Sequence, residues 1–308
     1  MTDGAAMTSG MIGLGNMGGR IARRIHAAGL PVVGFDVNRA QLEASGVPPA
    51  ESIETLAGQV DVVFLSLPDS SVVEKVVYGE GGLLGCSRSG QIVVDLSTAA
   101  PSSTQRIHAA LQERATEFVD AGISGGAAAA EKGTLSIMAG GSKVALDAVM
   151  PVLDTFSARV YHMGDSGSGH VAKLLNNFLN GISLAATAEV MVAAKVANLD
   201  VQQLLDVVNN SSGVNFATLN RFPKIVEGDY LEGGLTSNLM AKDIRLYLDL
   251  VRQLEVTSLA GPSCLGAFDL AAALGYGEEI SNRVVDALGD LSGGVRIQSG
   301  ASERKEHE

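Results

Sequence analysis

The sequence predicts an α/β domain with a mainly parallel sheet, followed by an all-helical domain. In the first half, short apolar or β-branched runs bounded by Gly, Pro or Asp alternate with helical patterns. Such alternation is typical of βαβ units, in which helices cover both faces of a parallel sheet. After the turn-rich segment at 164–169 (GDSGSG), nearly every pattern has the helical period. We therefore expect one domain at 1–165, a second at 166–297, and a disordered polar tail at 298–308.

Seven segments in the first domain have the composition of strands. They are Met11–Ile12, Val32–Phe35, Val60–Leu67, Gln91–Leu96, Glu117–Ile123, Leu135–Met138 and Val160–His162. The third is almost continuously apolar, as expected for a strand that is buried on both faces. The helical patterns between them are Asn16–Ala28, Ser70–Val77, Ser102–Arg114 and Lys143–Phe156. The order of these segments predicts a doubly wound sheet.

The second domain begins with a long predicted helix, Gly167–Leu199, which joins the two domains. Further helices are predicted at Val201–Asn209, Asp243–Leu254, Cys264–Leu274 and Ile280–Leu291. Because these helices are long and apolar, we expect a homodimer or a homotetramer, in which subunit contacts cover surface that one copy leaves exposed.

A narrow polar stripe runs along the long helix. At 3.6 residues per turn, Lys173, Asn176, Asn177 and Asn180 share one face. We expect a core on the other faces, formed by Val171, Leu174, Leu175, Phe178, Leu179 and Ile182. A solvated helix face is the simplest interpretation of the stripe. However, ionisable groups in partly buried clefts often have functional roles, which makes Lys173 a candidate catalytic residue.

The composition excludes some classes of protein. Hydrophobic residues make up 46% of the chain and charged residues 18%, which is typical of globular proteins. The formal net charge of −12 argues against nucleic-acid binding, which usually needs a basic face. Cys86 and Cys264 are far apart and show no metal-ligand spacing, so we expect neither a disulfide nor a metal site. The N-terminus lacks the pattern of a signal peptide, and the stripe interrupts the one long apolar helix, so we expect a cytoplasmic protein without membrane contact.

A glycine-rich motif follows the first strand and opens a helix: Gly13-Leu14-Gly15-Asn16-Met17-Gly18. This GxGxxG pattern permits a tight turn, close approach of the backbone to a pyrophosphate, and close helix packing. A lone GxGxxG is a weak signal, but here it lies in the strand–turn–helix context that the fingerprint requires. The first domain is therefore predicted to be a Rossmann-type dinucleotide-binding domain.

The second strand ends at Asp36, about 20 residues after the glycine motif, where the fingerprint places an acidic residue. Its carboxylate would accept hydrogen bonds from the adenosine ribose and repel a 2′-phosphate, which favours NAD over NADP. Arg39 leaves NADP open, because its guanidinium could pair with that phosphate.

Two polar segments follow later strands. Asp95-Leu96-Ser97-Thr98 follows one strand, and Asp120 to Gly126 (DAGISGG) covers the end of the next. Ligands of open α/β sheets bind outside the carboxyl ends of strands, where both segments belong. Ser124 and the backbone N–H groups of Gly125 and Gly126 could hold a carboxylate, or the two glycines could form an ordinary turn.

The chain resembles the β-hydroxyacid dehydrogenases, the family that contains 3-hydroxyisobutyrate dehydrogenase and tartronate semialdehyde reductase. The resemblance rests on five motifs in the family's order: GLGNMG, DLST, SGGAAAAEKGTLSIMAGG, GSGHVAKLLNN and Lys242-Asp243. It covers nearly the whole chain, from Met11 to about Leu291. One departure lies beside the expected substrate, because Gly122 stands where a typical member has Pro.

The resemblance implies a role for each matching residue. The cofactor would be bound by Gly13, Leu14, Gly15, Asn16, Met17, Gly18, Asp36, Leu67, Pro68, Thr98 and Lys242. Ser124, Gly125 and Gly126 would bind the substrate carboxylate. Lys173 would be the catalytic acid/base, and Asn177 would orient the substrate.

These observations together predict an NAD-dependent oxidoreductase that acts on a small β-hydroxyacid or semialdehyde. Lys173 would take the hydroxyl proton during oxidation and return it during reduction. His170, three residues earlier, is the competing general base, because histidine has this role in other hydroxyacid dehydrogenases. An imine reductase or a non-catalytic NAD-binding scaffold of the same fold is the alternative function.

Overall fold

The computed structural model describes residues 7–298, which form two compact units that divide between Lys173 and Leu174. The division lies inside the long helix, and the boundary expected at 165/166 stays a prediction. Apart from Gln298, the tail predicted at 298–308 lies outside the described residues.

The first unit contains a seven-stranded sheet with the order β2-β1-β3-β4-β5-β6-β7. Its strands are β1 (Ser9–Ile12), β2 (Val32–Phe35), β3 (Val62–Leu65), β4 (Ile92–Asp95), β5 (Glu117–Ser124), β6 (Leu135–Gly140) and β7 (Ser157–Gly164). Neighbouring strands are parallel except β5 and β6, which are antiparallel. The predicted, mainly parallel sheet is confirmed, with every predicted strand present.

Two hydrophobic clusters lie on opposite faces of this sheet. Along β3, Val62 and Phe64 belong to one cluster, whereas Val63 and Leu65 belong to the other. Successive side chains of a strand point to opposite faces, so this alternation shows a sheet that is buried on both sides. The continuous apolar run that the sequence shows at this strand is explained by that burial.

The helices of the first unit are α1 (Gly18–Ala27), α2 (Arg39–Ser45), α3 (Ile53–Gln59), α4 (Ser70–Tyr78), α5 (Leu83–Cys86), α6 (Pro101–Gln112), α7 (Gly126–Lys132) and α8 (Lys143–Leu153). The four predicted helices are present. The sequence analysis missed α2, α3, α5 and α7, because four to seven residues are too few to establish a helical period.

The long helix α9 (Ser168–Val196) runs from the first unit into the second, which is entirely helical. The second unit continues with α10 (Val201–Asn209), α11 (Phe216–Asn220), α12 (Phe222–Val226), α13 (Ser237–Gln253), α14 (Gly261–Ala271) and α15 (Val284–Leu291). The turns at 272–276 and 281–283 are π-helical and 3₁₀-helical. Helix α13 begins at Ser237, six residues before the predicted start at Asp243, because the Thr236 side chain accepts from the Leu239 N–H and caps it there.

The polar stripe of α9 is partly buried. Lys173 is only 9% exposed and Asn177 4%. The expectation that Leu175 and Leu179 lie in a core was wrong, since they are 44% and 64% exposed. In its first turns the helix therefore buries the side that carries the lysine and exposes two leucines.

Helix α9 also meets a simple criterion for a membrane span, contrary to the expectation that its polar stripe would exclude one. Its most apolar 18-residue window has a mean hydropathy of 1.3, and 44% of that window is buried inside the structure. The core helix of a water-soluble protein passes the same test, so the finding is weak evidence for a span. In this protein, Leu184, Ala188 and Met191 of α9 belong to the hydrophobic core of the second unit.

Candidate active site

The glycine motif forms a tight loop between β1 and α1. Gly13 has φ +90°, and a Cβ on this residue would overlap the carbonyl oxygen of Ser66. A Cβ on Gly18 would likewise overlap the carbonyl oxygen of Gly13. Around Gly15, by contrast, a Cβ would meet no atom within 4 Å. Two of the glycines thus permit close packing, and the middle one leaves open space in front of the loop.

The space beside this loop suits an anionic group. The first turn of α1 has neither a side-chain cap nor an acidic residue, so the positive end of the helix dipole is not neutralised there. A cavity of about 310 Å³ lies next to it. Its lining residues are Leu14, Gly15, Asn16, Arg20, Arg23, Gln41, Ala44 and Ser45. The two arginines share one acidic partner, Glu131, at 3.3 Å and 3.9 Å, so one carboxylate compensates only part of their positive charge beside the loop.

Asp36 lies directly beside the glycine loop. Its Oδ2 accepts a hydrogen bond of 2.7 Å from the N–H of Leu14, and its Oδ1 accepts one of 2.7 Å from the N–H of Asn38. These bonds fix the carboxylate at the end of β2. Arg39 points elsewhere, because its side chain is 90% exposed and pairs with Glu43 at 3.1 Å.

The segments that follow β3 and β4 lie side by side, since these strands are neighbours in the sheet. The N–H of Leu67 donates to Oγ of Ser97 over 2.9 Å, which ties the two segments together. Pro68 is exposed and Thr98 is half-buried. Leu67, Pro68 and Thr98 are thus grouped at the carboxyl edge of the sheet, as a cofactor groove there would need.

Ser124 is the last residue of β5, and the two following glycines lead into α7. Gly125 has φ +127° and Gly126 φ +69°, and both glycines are exposed. A Cβ on Gly125 would lie 2.6 Å from the Cβ of Ala129, so only glycine fits there. The turn presents one hydroxyl and accessible backbone N–H groups, which can hold a carboxylate.

Lys173 packs against β5. A Cβ on Gly122 would lie 2.5 Å from the Cβ of Lys173 and 3.0 Å from its Cγ. Residues 122 and 124 of one strand point to the same face, so Ser124 faces the side on which Lys173 packs. The first unit thereby brings the predicted catalytic lysine and the predicted carboxylate site to the same strand.

Asp120 anchors the start of α9. This carboxylate is fully buried, and it accepts from the N–H of Gly167 over 2.7 Å and from the N–H of His170 over 2.8 Å. It satisfies two N–H groups that the first turn of a helix otherwise leaves unpaired. The sequence analysis gave Asp120 no role, although a carboxylate within an apolar strand (FVDAGI) was a usable signal.

His170 is fully buried, and its competing role as general base stays a prediction. Its Nδ1 lies 2.7 Å from Oγ1 of Thr104, and its Nε2 lies 4.0 Å from Oδ2 of Asp95. Burial raises the pKa of Asp95, while His170 and Ser97 act against that shift. This buried pair was also missed, because its members are 75 residues apart in sequence and lie in two separate motifs, so that no local pattern indicates their contact.

A second polar cluster belongs to the helical unit. The side-chain amide of Asn177 donates to Oδ2 of Asp243 over 2.5 Å, and Nζ of Lys242 lies 3.2 Å from Oδ1 of the same carboxylate. Asp243 is 2% exposed. It connects the predicted substrate-orienting amide with the predicted cofactor-binding lysine, a role that the sequence did not assign to it.

The fold and these features define a class of protein, the dinucleotide-binding oxidoreductases. A glycine loop and an acid at the end of β2 suit a bound dinucleotide, and a buried lysine packed on the strand that ends in an exposed Ser-Gly-Gly turn suits the proton transfer that accompanies hydride transfer. Among residues 7–298, no group of three or more His, Cys, Asp or Glu side chains could hold a metal ion.

Comparison with known proteins identifies the family. The NAD-binding domain of 6-phosphogluconate dehydrogenase matches residues 8–164, and the NAD-binding region of NADP-dependent 3-hydroxyisobutyrate dehydrogenase matches residues 167–288. The chain therefore belongs to the β-hydroxyacid dehydrogenase family, and it is an oxidoreductase that acts on CH–OH donors.

Individual relatives cover nearly the whole chain. The 2-(hydroxymethyl)glutarate dehydrogenase of Eubacterium barkeri is 32% identical, over 94% of this chain and 97% of its own. The NAD-dependent L-serine dehydrogenase of Pseudomonas aeruginosa is 34% identical, over 87% of this chain and 93% of its own. Among solved structures, the 3-hydroxyisobutyrate dehydrogenase of Mycobacterium tuberculosis with L-serine is 27% identical and has a TM-score of 0.84, over 92% of this chain and 99% of that one.

Proposed function

We propose that the protein oxidises a small β-hydroxyacid to its semialdehyde with NAD, and that Lys173 is the general acid/base. The observation that carries this proposal is the placement of buried Lys173 against β5, on the side that Ser124 faces. A lysine that is largely withdrawn from water and lies near a carboxylate-binding turn is suited to proton transfer with a bound hydroxyacid.

A nicotinamide cofactor, when bound at the glycine loop, would supply the hydride acceptor for oxidation of the hydroxyl-bearing carbon. Neutral Lys173 takes the hydroxyl proton at Nζ, so that the C–O bond becomes a carbonyl and the lysine becomes an ammonium group. In reduction, the same ammonium returns the proton to the developing alkoxide. Ser124 and the N–H groups of Gly125 and Gly126 hold the substrate carboxylate. General acid/base catalysis of this kind contributes about 10²- to 10⁴-fold.

Asn177 would orient the substrate, because it lies one helical turn after Lys173 on the same face of α9. Its amide nitrogen donates to Asp243, which fixes the direction of the side chain. Lys242 would contact the cofactor, and its ion pair with Asp243 couples it to the same network.

The preferred cofactor in this proposal is NAD. The carboxylate of Asp36 is held beside the glycine loop by two backbone N–H groups, and it would repel a 2′-phosphate there. Arg39, the residue that would favour NADP, is paired with Glu43.

We also propose a cytoplasmic homodimer or homotetramer that binds a small-molecule carboxylate substrate and contacts neither nucleic acid nor a membrane. Support for self-association comes from exposed apolar residues of the helical unit, such as Val196 at 58% and Leu291 at 61%. Sedimentation equilibrium measures the oligomeric state, and a monomer at micromolar concentration would contradict the proposed self-association.

Replacing the lysine tests the mechanism. Lys173→Ala should lower kcat by at least about 10³-fold and leave NADH binding, measured by fluorescence, unchanged. Lys195→Ala is the control, because this lysine is on the same helix near its other end. Near-normal turnover of the Lys173→Ala protein would eliminate the proposal.

A substrate panel tests the function as a whole. The relatives are dehydrogenases of 2-(hydroxymethyl)glutarate, L-serine and L-threonate, so these acids and 3-hydroxyisobutyrate should be tested with both cofactors. Reduction of NAD by at least one acid is the expected result. Cofactor binding without oxidation of any acid would favour a non-catalytic scaffold.

A further inference from the structure

His170 lies in the first turn of α9, one turn before Lys173, and its ring is fully buried in the first unit. Its backbone N–H donates to Oδ2 of Asp120 over 2.8 Å, and its Nδ1 lies 2.7 Å from Oγ1 of Thr104. Among the described residues, its Nε2 has no hydrogen-bond partner. This nitrogen faces Oδ2 of Asp95 at 4.0 Å, and that oxygen also lacks a partner there.

One hydrogen between Nε2 and Oδ2 would satisfy both buried atoms. If Thr104 donates to Nδ1, neutral His170 carries its hydrogen on Nε2, facing the carboxylate of Asp95. If Nδ1 donates to Thr104, whose hydroxyl then donates to the carbonyl oxygen of Ala100 over 3.3 Å, Nε2 is an acceptor. Asp95 must then be protonated, a form that burial favours by raising its pKa. In both arrangements the two side chains need each other, because an unpaired buried polar group is costly.

The other groups around His170 already have partners. Asp120 on β5 is the second carboxylate, and its two oxygens accept from the backbone N–H groups of Gly167 and His170. Helix α6 contributes the hydroxyl of Thr104, and Lys173 lies one turn further along α9 itself. The unpaired oxygen of Asp95 is therefore the group that can bind Nε2.

Asp95 is also connected to the predicted cofactor groove. Its Oδ1 accepts from the N–H of Ser97 over 2.9 Å, and Oγ of Ser97 accepts from the N–H of Leu67 over 2.9 Å. Thr98 directly follows Ser97. The carboxylate thus fixes the two segments that carry Leu67 and Thr98, which are predicted to bind the cofactor. One buried pair connects these segments to the helical turn that precedes Lys173.

We propose that His170 and Asp95 are positioning residues, which hold the start of α9 against the cofactor groove so that Lys173 meets the substrate hydroxyl. The proposal rests on the proposed function, which makes Lys173 the acid/base. In this role neither side chain of the pair touches the substrate. The gap of 4.0 Å is about 1 Å longer than a hydrogen bond, so a small approach of the two side chains completes the contact.

Two substitutions separate the two ring nitrogens of His170. Asparagine places its amide at the position of Nδ1, so His170→Asn keeps a partner for Thr104 and removes the atom that faces Asp95. Glutamine places its amide at the position of Nε2, so His170→Gln keeps the atom that faces Asp95 and removes the partner of Thr104. Since each variant lacks one buried contact, urea denaturation should show similar losses of unfolding free energy.

The turnover of the two variants should differ. Because a displacement of about 1 Å in an active site can cost about 10²-fold, we expect kcat of His170→Asn to fall about 10- to 100-fold. His170→Gln should stay within about threefold of the wild type, and KM for the acid should change little in both. His162→Asn is the control, since this ring on β7 bonds to the carbonyl oxygen of Gly141. Equal kcat values of the two His170 variants would overturn the proposal, because neither a packing role nor a general base distinguishes them.

NADH binding separates this proposal from the proposed function. Because Asp95 holds Ser97 and through it Leu67, His170→Asn should weaken NADH binding about five- to tenfold. His170→Gln should bind NADH like the wild type. If no acid is oxidised, the proposed function fails, whereas this difference between the variants still supports the positioning pair. Equal NADH affinities of the two variants would refute it.

A measurement on the unmodified protein serves if the variants do not fold. Saturation with NADH should shift the ring ¹⁵N resonances of His170, although its side chain is fully buried. Those of His162, three strands away from β4 in the sheet, should stay unchanged. Unchanged resonances of His170 would show that the groove and the start of α9 are not coupled, and the proposal would fail.

Discussion

Gly122 and Lys173 are in such close contact that no other residue fits at position 122 without movement. A Cβ added to Gly122 would lie 2.5 Å from the Cβ of Lys173, closer than real Cβ contacts. The chain carries glycine where typical members of the family carry proline. Lys173 of α9 therefore packs directly against the backbone of β5 at this point, and its position depends on the absence of a side chain at residue 122.

Gly122→Ala should therefore impair turnover more than stability. The added methyl group pushes Lys173 away from β5, and a displacement of about 1 Å in an active site can cost about 10²-fold. We expect kcat to fall about 10- to 100-fold and the affinity for NADH to stay unchanged. Steady-state kinetics and fluorescence titration measure the two quantities.

Gly58→Ala is the control for this substitution. Gly58 lies in α3, and a Cβ there would meet no atom within 4 Å. Alanine in a helix is more favourable than glycine, so this variant should keep full activity and become slightly more stable. Equal activity of the two variants would show that Lys173 tolerates a side chain at position 122.

Asp120→Asn should destabilise the protein. One amide oxygen can still accept from Gly167 or His170, but the amide nitrogen then faces the other N–H. A buried donor without an acceptor costs about 1–3 kcal/mol, so the free energy of unfolding should fall by that amount. Asp200→Asn is the control, since this exposed N-cap makes one hydrogen bond and Asn caps a helix as well as Asp. If urea denaturation gives equal losses for both variants, Asp120 does not anchor α9.

Asp95 should make stability depend on pH in an unusual direction. Burial raises its pKa above the ordinary value of 3.8, so the folded protein binds this proton more tightly than the unfolded chain. Between pH 3.8 and the raised pKa, the carboxyl of Asp95 is protonated in the folded protein and ionised in the unfolded chain. Its contribution to the free energy of unfolding therefore falls as the pH rises through this window. Asp95→Asn cannot titrate. The unfolding free energy of this variant minus that of the wild type should therefore increase with pH across that window and level off above it.

Asp61 should change the stability of the protein with pH in the opposite direction to Asp95. Hydrogen bonds from Thr8 lower its pKa below 3.8, so its contribution to stability is lost as pH falls through the lowered value. Asp61→Asn should thus lose stability relative to the wild type as pH rises towards 3.8, and show a constant difference at higher pH. Urea denaturation at several pH values measures both differences, and a flat profile for Asp95→Asn would contradict the assignment.

The sequence predicted the elements whose patterns are local. The strand Val62–Leu65 was predictable because four consecutive apolar residues between polar ones indicate a strand that is buried on both sides. The glycine loop was predictable because the backbone geometry of a phosphate-binding turn restricts residue types strongly. Short helices such as Arg39–Ser45 were not, since one turn or two carry too little periodicity.

The site was predictable only as far as its motifs extend. Lys173 stood out because an ammonium group among apolar residues is unusual, and the family resemblance implied Ser124. The residues that hold these groups in place were missed. Asp120 binds backbone N–H groups 47 and 50 residues away, and Asp95 approaches His170 only after the sheet has formed. Contacts of that kind depend on tertiary packing and leave no local pattern.

Cofactor preference should respond to charge at the end of β2. Asp36→Asn keeps an oxygen for the N–H of Leu14 but removes the charge that repels a 2′-phosphate. Like charges about 4 Å apart near a protein surface cost roughly 1–4 kcal/mol, so the ratio of kcat/KM for NADP over NAD should rise at least about fivefold. Glu43→Gln, added to this variant, removes the ion-pair partner of Arg39 and should raise the ratio again. If Arg39→Gln in the same background leaves the ratio unchanged, the guanidinium does not bind the phosphate, and repulsion by Asp36 alone sets the preference.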